Sequence, residues 1–393
     1  MADTTDAAVR LRAAAELTRG IVRQRLSTIR RTERQQQSAY YRRLWQEVAA
    51  KLGARIRTVE DGYFEITLDA LTVRVRNTHI GIDGRDVLQR AGDKVLCHRL
   101  LTEAGLSAPE HEVFTLATFD RARRFLAAST GDCVVKPGQD SSAGSGVTTL
   151  VRTPRDLVRA AAEAAQVGAR SGRAARGAGR VRRITATYGQ LAEVPLLIER
   201  QVPGGNYRLL FLDGELVDAI RRGVPSVVGD GESTVAELFE MLNADRIRAG
   251  GVIGQSLVKY DLDSERTLAV QGLTMSSVPA PGRVVRIKTT INSSAADTNA
   301  PARDELCEAI VADAARAAEL VGVRWAGVDV LTPDPAVPLA ESGGRILEVN
   351  TTPGLAMHYH GKPGQVDPAK ELLLRLAAKA ASPAPEPAVR EGH

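Results

Sequence analysis

Aromatic residues are scarce, 4% of 393 positions. Single-stranded nucleic acid is usually gripped by stacking bases on aromatic rings. The formal net charge of +5 fits either a nucleic acid or an anionic small substrate such as a nucleotide, and the shortage of rings argues against the first. Cysteine is scarcer still. Cys97, Cys133 and Cys307 lie far apart and form no CxxC pair, so neither a disulfide framework nor a zinc ribbon is expected, and a reducing cytoplasm is. No cysteine has a paired base nearby in sequence, which excludes a thiol nucleophile. His358 and His360 have no third ligand beside them, which leaves zinc unsupported. No run of about 18 apolar residues occurs, so no membrane span is expected, and the first residues lack the apolar core of a signal peptide. Gly-Lys-Ser/Thr is missing, and with it a Walker A loop; no Rossmann fingerprint occurs either. There is no internal repeat.

What is present describes a globular chain of two or three subdomains, 44% apolar and 25% charged. Residues 1–55 read as helical. Leu11, Leu17, Ile21, Leu26 and Ile29 recur with arginines between them, and Tyr40, Leu44, Trp45 and Val48 form an apolar stripe at helical spacing. This is the pattern of a docking or oligomerisation helix. Tyr63–Leu68 and Leu71–Arg76 alternate as a hairpin around Asp69-Ala70. Helices are expected over Asp93–Ala104, from Thr118 to Ala128, from Pro154, and over Arg303–Leu320 with Gly322 as its stop. Tyr207–Phe211 and Leu216–Arg221 make a second hairpin. Arginines 170–183 among glycines read as a surface loop, and residues 382–393 as a disordered tail.

Ile346–Val349 reads as a buried strand, so Glu348 and Asn350 share one side at its end. Two hard oxygen donors suit Mg²⁺, which keeps part of its coordination for water and phosphate. Trp325–Val330 is another apolar strand with one acid, Asp329. As neighbours, the two strands bring Asp329, Glu348 and Asn350 around one or two cations. Upstream, strand Cys133–Lys136 runs into a loop of small residues including Ser141, Ser142, Gly144 and Gly146. Backbone N–H groups of such a loop approach phosphate closely, and Lys136 supplies a point charge beside it.

In this order these motifs resemble the ATP-grasp superfamily, and within it the ATP-grasp region of cyanophycin synthetase and of bifunctional glutathione synthetases. The resemblance covers roughly residues 90–360. It rests on Gly92-Asp93-Lys94, Ala104–Pro109, Val134–Pro137 with its loop, Leu197–Arg208, Val227–Gly231, Ala326–Val330 and Glu348-Val349-Asn350. It implies an α+β ATP-grasp fold, two subdomains (91–205 and 206–380) clamping ATP, preceded by a helical and hairpin domain (1–90) and followed by a tail (381–393). By position it implies that Lys94 and Lys136 hold ATP phosphates under the closing loop of Ser141, Ser142, Gly144 and Gly146. Glu199, Arg200, Gln201 and Val202 become the adenine hinge, and Asn206 stands where an acid usually meets the ribose. Arg208 and Arg286 match arginines that bind substrate carboxylate or the transferring phosphoryl group, with Arg283 and Lys288 flanking the second. Asp329, Glu348 and Asn350 match the Mg²⁺ ligands, Mn²⁺ being an alternative ion.

The implied reaction joins an amino-acid carboxylate, with the γ-carboxylate of glutamate as one option, to an amino-acid amine through an acyl phosphate, releasing ADP and phosphate. A kinase or carboxylase on the same fold, or a basic nucleic-acid binder, is the alternative. Small amino acids as partners, no nucleic acid or membrane, and a homo-oligomer are expected. Thr290–Ala296 departs from the Ser-Thr-Gly-Gly turn of cyanophycin synthetases, and their Mur-ligase-like half has no counterpart, so repeated polymer extension is not expected.

Overall fold

A computed structural model describes residues 27–139, 144–171, 191–248, 257–290 and 298–381. The expectations for residues 1–26, Ser141, Ser142, most of the arginine-rich segment, Ile291–Ala296 and the tail lie outside these. Helix α1 (Ser27–Leu52) leads into a sheet of β1 (Arg55–Thr58), β2 (Phe64–Leu68), β3 (Leu71–Arg76) and β4 (His79–Ile80), paired in that order. The Asp69-Ala70 hairpin forms as expected, with Asp69 at φ 51°. Of the expected stripe, Leu44, Trp45 and Val48 are buried and Tyr40 is half-buried against the same core, with Tyr41 beside it fully buried, so the stripe on α1 docks within its own chain. The Trp45 indole donates to the Asn77 carbonyl at 2.9 Å.

Helices α2 (Arg85–Ala91) and α3 (Lys94–Glu103) follow. Asp93 caps α3, its Oδ1 accepting from the Leu96 N–H at 3.0 Å. Next come β5 (His111–Phe114), α4 (Phe119–Ala128), β6 (Cys133–Pro137), β7 (Thr148–Val151), α5 (Pro154–Ser171) and β8 (Leu196–Arg200). Their sheet has the order β5-β8-β6-β7. Strands β6 and β7 are antiparallel neighbours, so the glycine loop joins a hairpin, as read from the sequence.

The largest sheet begins with the hairpin β9 (Gly205–Leu212) and β10 (Glu215–Arg222). The chain then leaves it through β11 (Ser226–Val228), α6 (Val235–Arg248), α7 (Leu262–Ala269) and β12 (Val284–Arg286), with β11 and β12 forming a separate ribbon. It returns as β13 (Ala300–Pro301), α8 (Glu308–Val321), β14 (Trp325–Thr332), α9 (Leu339–Ser342), β15 (Arg345–Thr351) and α10 (Pro368–Ala381). The order is β13-β10-β9-β14-β15. Helix α8 starts at Glu308, not at Arg303 as the sequence suggests. Leu306 and Cys307 are extended, because the Cys307 N–H goes to the Pro335 carbonyl at 2.9 Å instead of to a preceding turn.

The central sheet has two unlike faces, set by strand alternation. Tyr207, Leu209, Phe211, Ala326, Val328, Val330, Ile346 and Val349 pack against α3 and the alanine-rich side of α8. Ile346 and Val349 are three residues apart yet reach the same core, because the β14–β15 register skips Leu347 in a bulge. On the opposite face Leu210, Leu212 and Trp325 are covered by α1, α10 and the first sheet. The same face continues along the strands as Asn206, Arg208, Asp329, Glu348 and Asn350. The apolar half of this face anchors the N-terminal elements; the polar half gathers charged and amide side chains. Among the described residues no helix is long and apolar enough to cross a membrane.

Candidate nucleotide and metal site

Three strands line up the first group. Arg208 on β9 faces Asp329 on β14, which faces Glu348 on β15. Arg208 grips Asp329 with two bonds: Nε reaches Oδ1, and Nη2 donates to Oδ2 at 3.0 Å. Arg222 on β10 lies opposite Asn206. It donates from Nε to Asn206 Oδ1 at 2.6 Å and places Nη2 3.0 Å from Asp329 Oδ2. Lys94, at the first turn of α3, holds Glu348 at 2.5 Å. Three cations thus meet two carboxylates, and the residual positive charge suits an anion. Burial alone would raise the Asp329 carboxyl, but the two arginines outweigh it and hold it below the carboxylate range. Burial likewise pulls the Lys94 ammonium down, and Glu348 outweighs it in the other direction.

Gly327 makes this row possible. A Cβ there would meet Pro353 Cβ at 2.8 Å and Arg208 Nη1 at 3.0 Å. Any side chain at 327 would displace either the turn after β15 or the arginine. Asn350, opposite Gly327 in register, donates from Nδ2 to its carbonyl at 3.2 Å, which leaves Oδ1 to act as an acceptor. Asp329, Glu348 and Asn350 therefore offer only hard oxygen donors from one face, the donor chemistry that Mg²⁺ or Mn²⁺ takes. Among the described residues no set of three His, Cys, Asp or Glu side chains gathers as a metal cage. Two carboxylates and an amide leave most of the coordination shell to water and phosphate.

The second group hangs from the other sheet. Lys136 at the end of β6 lies 2.5 Å from Glu199 Oε1 on β8, and both are buried. Burial raises the Glu199 carboxyl, and Lys136 with His98 more than reverses that. Helix α3 joins the two groups: Lys94 and His98 stand one turn apart, and His98 Nε2 lies 3.2 Å from Glu199 Oε1. Lys94 also feels the Glu199 charge. The start of α3 is stitched to the glycine loop, with the Lys94 N–H on the Gly138 carbonyl at 3.0 Å and Gln139 Nε2 on Asp93 Oδ2 at 2.8 Å. Gly144 (φ 58°) and Gly146 (φ 76°) take the left-handed conformation that the loop reading requires.

The remaining sequence candidates divide. The Arg200 and Gln201 N–H groups go to the Glu110 and Asp132 carbonyls at 3.0 and 2.8 Å, and Gln201 Oε1 accepts from the Leu150 N–H at 2.8 Å. Among the described residues the Val202 N–H has no acceptor. Asn206 sits inside the arginine cluster. Arg286 does not join it: β12 buries Val285 and turns Arg286 outward, its backbone N–H held by Gln271 Oε1 at 3.1 Å. Arg283 donates to the Gln271 carbonyl at 2.8 Å, and Lys288 pairs with Asp261 at 2.5 Å. Sequence reasoning missed Arg222 and His98. The available signal for Arg222 was its place across the Asp213-Gly214 hairpin from Asn206. His358, set aside for zinc, is buried on Asp218 at 2.7 Å.

The cysteines stand apart from this chemistry. Burial pushes the Cys97 thiol up to about 11 and raises Cys133, whereas Cys307 is half-buried. A maleimide at pH 7.5 should label Cys307 well before the other two in the native protein, as peptide mapping would show. Equal labelling of all three would contradict this packing.

No family model matches the chain. Cyanophycin synthetase from Nostoc sp. strain PCC 7120 is 32% identical over 280 residues, 70% of this chain and 28% of that protein. The glutathione biosynthesis bifunctional protein of Pasteurella multocida is 27% identical over 281 residues, 69% of this chain and 33% of that one. The chain thus spans about a third or less of the length of these relatives. The crystal structure of a bifunctional glutathione synthetase from Pasteurella multocida superposes with a TM-score of 0.51 at 21% identity, covering 84% of this chain and 42% of that one. The fold expected from the sequence is the one found.

Proposed function

Because the chain belongs to the ATP-grasp superfamily, we propose that it is an ATP-dependent carboxylate–amine ligase acting on amino acids. The observation that carries this is the single row Arg208–Asp329–Glu348, tied by Lys94 and α3 to the buried Lys136. Phosphoryl transfer needs little covalent help from a protein. It needs cations fixed where negative charge spreads over the transferring group.

In this reading Lys94 and Lys136 hold the phosphates of ATP, and Ser141 to Gly146 close over them. The Val202 N–H meets the adenine edge at the hinge Glu199–Val202, and the Asn206 amide serves the ribose side. Asp329, Glu348 and Asn350 would hold Mg²⁺, which would supply charge neutralisation for the phosphates when bound. Arg208 and Arg222 take the substrate carboxylate or the transferring phosphoryl group; Arg286, on its outward ribbon, is left to later substrate contacts. The carboxylate attacks the γ-phosphorus, ADP leaves, and an amine displaces phosphate from the acyl phosphate to form an amide. Closure of the loop excludes water, which would otherwise hydrolyse the acyl phosphate.

The test is ADP release from ATP and Mg²⁺ with pooled amino acids, followed by mass spectrometry of the products. An amino-acid-dependent ADP signal and a product lighter than its two precursors by one water are expected. A phosphorylated or carboxylated product would replace ligation with a kinase or carboxylase reading. No ADP with any amino-acid pair would count against both.

A further inference from the structure

His98 has no role in the scheme above, yet it is 1% exposed and sits between its two halves. Its Nε2 accepts from the Lys136 ammonium at 3.4 Å and lies 3.2 Å from Glu199 Oε1, which among the described residues makes no hydrogen bond apart from its ion pair with Lys136. Its Nδ1 is buried without a hydrogen-bond partner. An ammonium can only donate, so Nε2 is the acceptor while Lys136 stays here and the ring proton lies on Nδ1; once the ammonium leaves, the proton is better placed on Nε2, where Glu199 can accept it. The His111 ring stacks edge-on against it, with centroids 4.7 Å apart. Burial pulls the imidazolium down to about 3, and the ring is neutral at physiological pH.

Lys136 faces conflicting demands. Without nucleotide its ammonium neutralises Glu199, which is 4% exposed. To serve a phosphate it must share or withdraw that charge, and stripping one partner from a buried ion pair leaves an uncompensated charge at high cost. We propose that His98 is a positioning residue that takes over Glu199 when Lys136 turns to the nucleotide, its Nε2–H replacing the ammonium as donor to the carboxylate. A neutral donor is suited to this exchange: it satisfies the carboxylate without adding a third charge beside Lys94 and Lys136. The inference rests on the nucleotide-binding reading and adds a residue to it.

The test is calorimetric titration of a non-hydrolysable ATP analogue with Mg²⁺ into the full chain. His98→Leu removes the donor, and affinity should fall about tenfold or more, the scale of one charge-assisted hydrogen bond. His98→Gln places an amide donor near the same point and should restore most of that loss. In a Glu199→Gln background no carboxylate needs the donor, so His98→Leu should cost little further. If His98→Leu does not fold, His98→Asn, too short to reach Glu199, carries the same expectation. Unchanged affinity in the donor-less variant, or an equal loss in both backgrounds, would overturn the exchange and leave a packing residue. Failure of the wild type to bind the analogue would overturn the nucleotide reading itself, and the exchange with it.

Discussion

Glu348→Ala should lower ADP-releasing turnover by about 10²–10³-fold, the range seen when a preorganised charge at a reacting centre is removed. Two losses coincide. A carboxylate disappears from the metal-facing row, and Lys94 loses the partner that holds it 2.5 Å away. The fold should survive. The ammonium left behind is Lys94, whose side chain is only 10% exposed, so a stability loss of about 3 kcal/mol, the lower end for breaking a buried pair, should accompany the loss of turnover. Glu348→Gln keeps the shape and should be nearly as inactive, because a neutral amide replaces only one oxygen donor. Steady-state ADP assays over a range of Mg²⁺, paired with thermal melts, separate the effects. Full turnover in Glu348→Ala would remove the metal assignment.

Lys136→Ala should be as damaging to turnover, by about 10²-fold or more, and should also destabilise the protein. Glu199 is sealed from water and would keep only the weaker His98 contact. A cost approaching 3 kcal/mol is expected at neutral pH. The pH dependence fixes the cause. In the wild type the Glu199 carboxyl is held below its ordinary range, chiefly because Lys136 and His98 overcome the effect of burial. A depressed folded-state value means stability that is fully present above the unfolded carboxylate pKa of about 4.3 and lost as pH falls through the folded value. The variant lacks that contribution, so its deficit against the wild type should be full at pH 7 and shrink as pH falls below the ordinary carboxylate range. Denaturant midpoints taken from about pH 8 down to about pH 3, across that window, measure it. Adding Glu199→Gln should recover stability without recovering turnover. A deficit that stays constant with pH would point to lost packing.

Much of this site was legible because its signals are short-range. Glu348 and Asn350 share a face through strand period alone, and Lys136 stands next to the glycine loop in the chain. The hairpins at Asp69-Ala70 and Asp213-Gly214 carry their turn residues. What escaped was set by pairing between distant segments. Arg222 looks like the end of a solvated strand until the central sheet places it against Asp329. His98, a polar residue on an amphipathic helix, reads as surface because nothing local reveals that the β8 carboxylate lies over it. Arg286 shows the reverse case. The resemblance put it with Arg208, but Val285 takes the buried side of β12 and Arg286 faces outward. The start of α8 was misjudged for a similar reason, a backbone bond from Cys307 to Pro335 that no local propensity encodes.

The account turns on whether one nucleotide and one cation bridge the two groups of side chains. A crystal structure with a non-hydrolysable ATP analogue and Mn²⁺, using the anomalous signal of the metal, asks this directly. The expected peak lies at metal–oxygen bonding distance, a little over about 2 Å, from Asp329, Glu348 and Asn350, with the phosphates between Lys94 and Lys136. A metal peak away from these oxygens, or a nucleotide that leaves both lysines on their carboxylates, would contradict it.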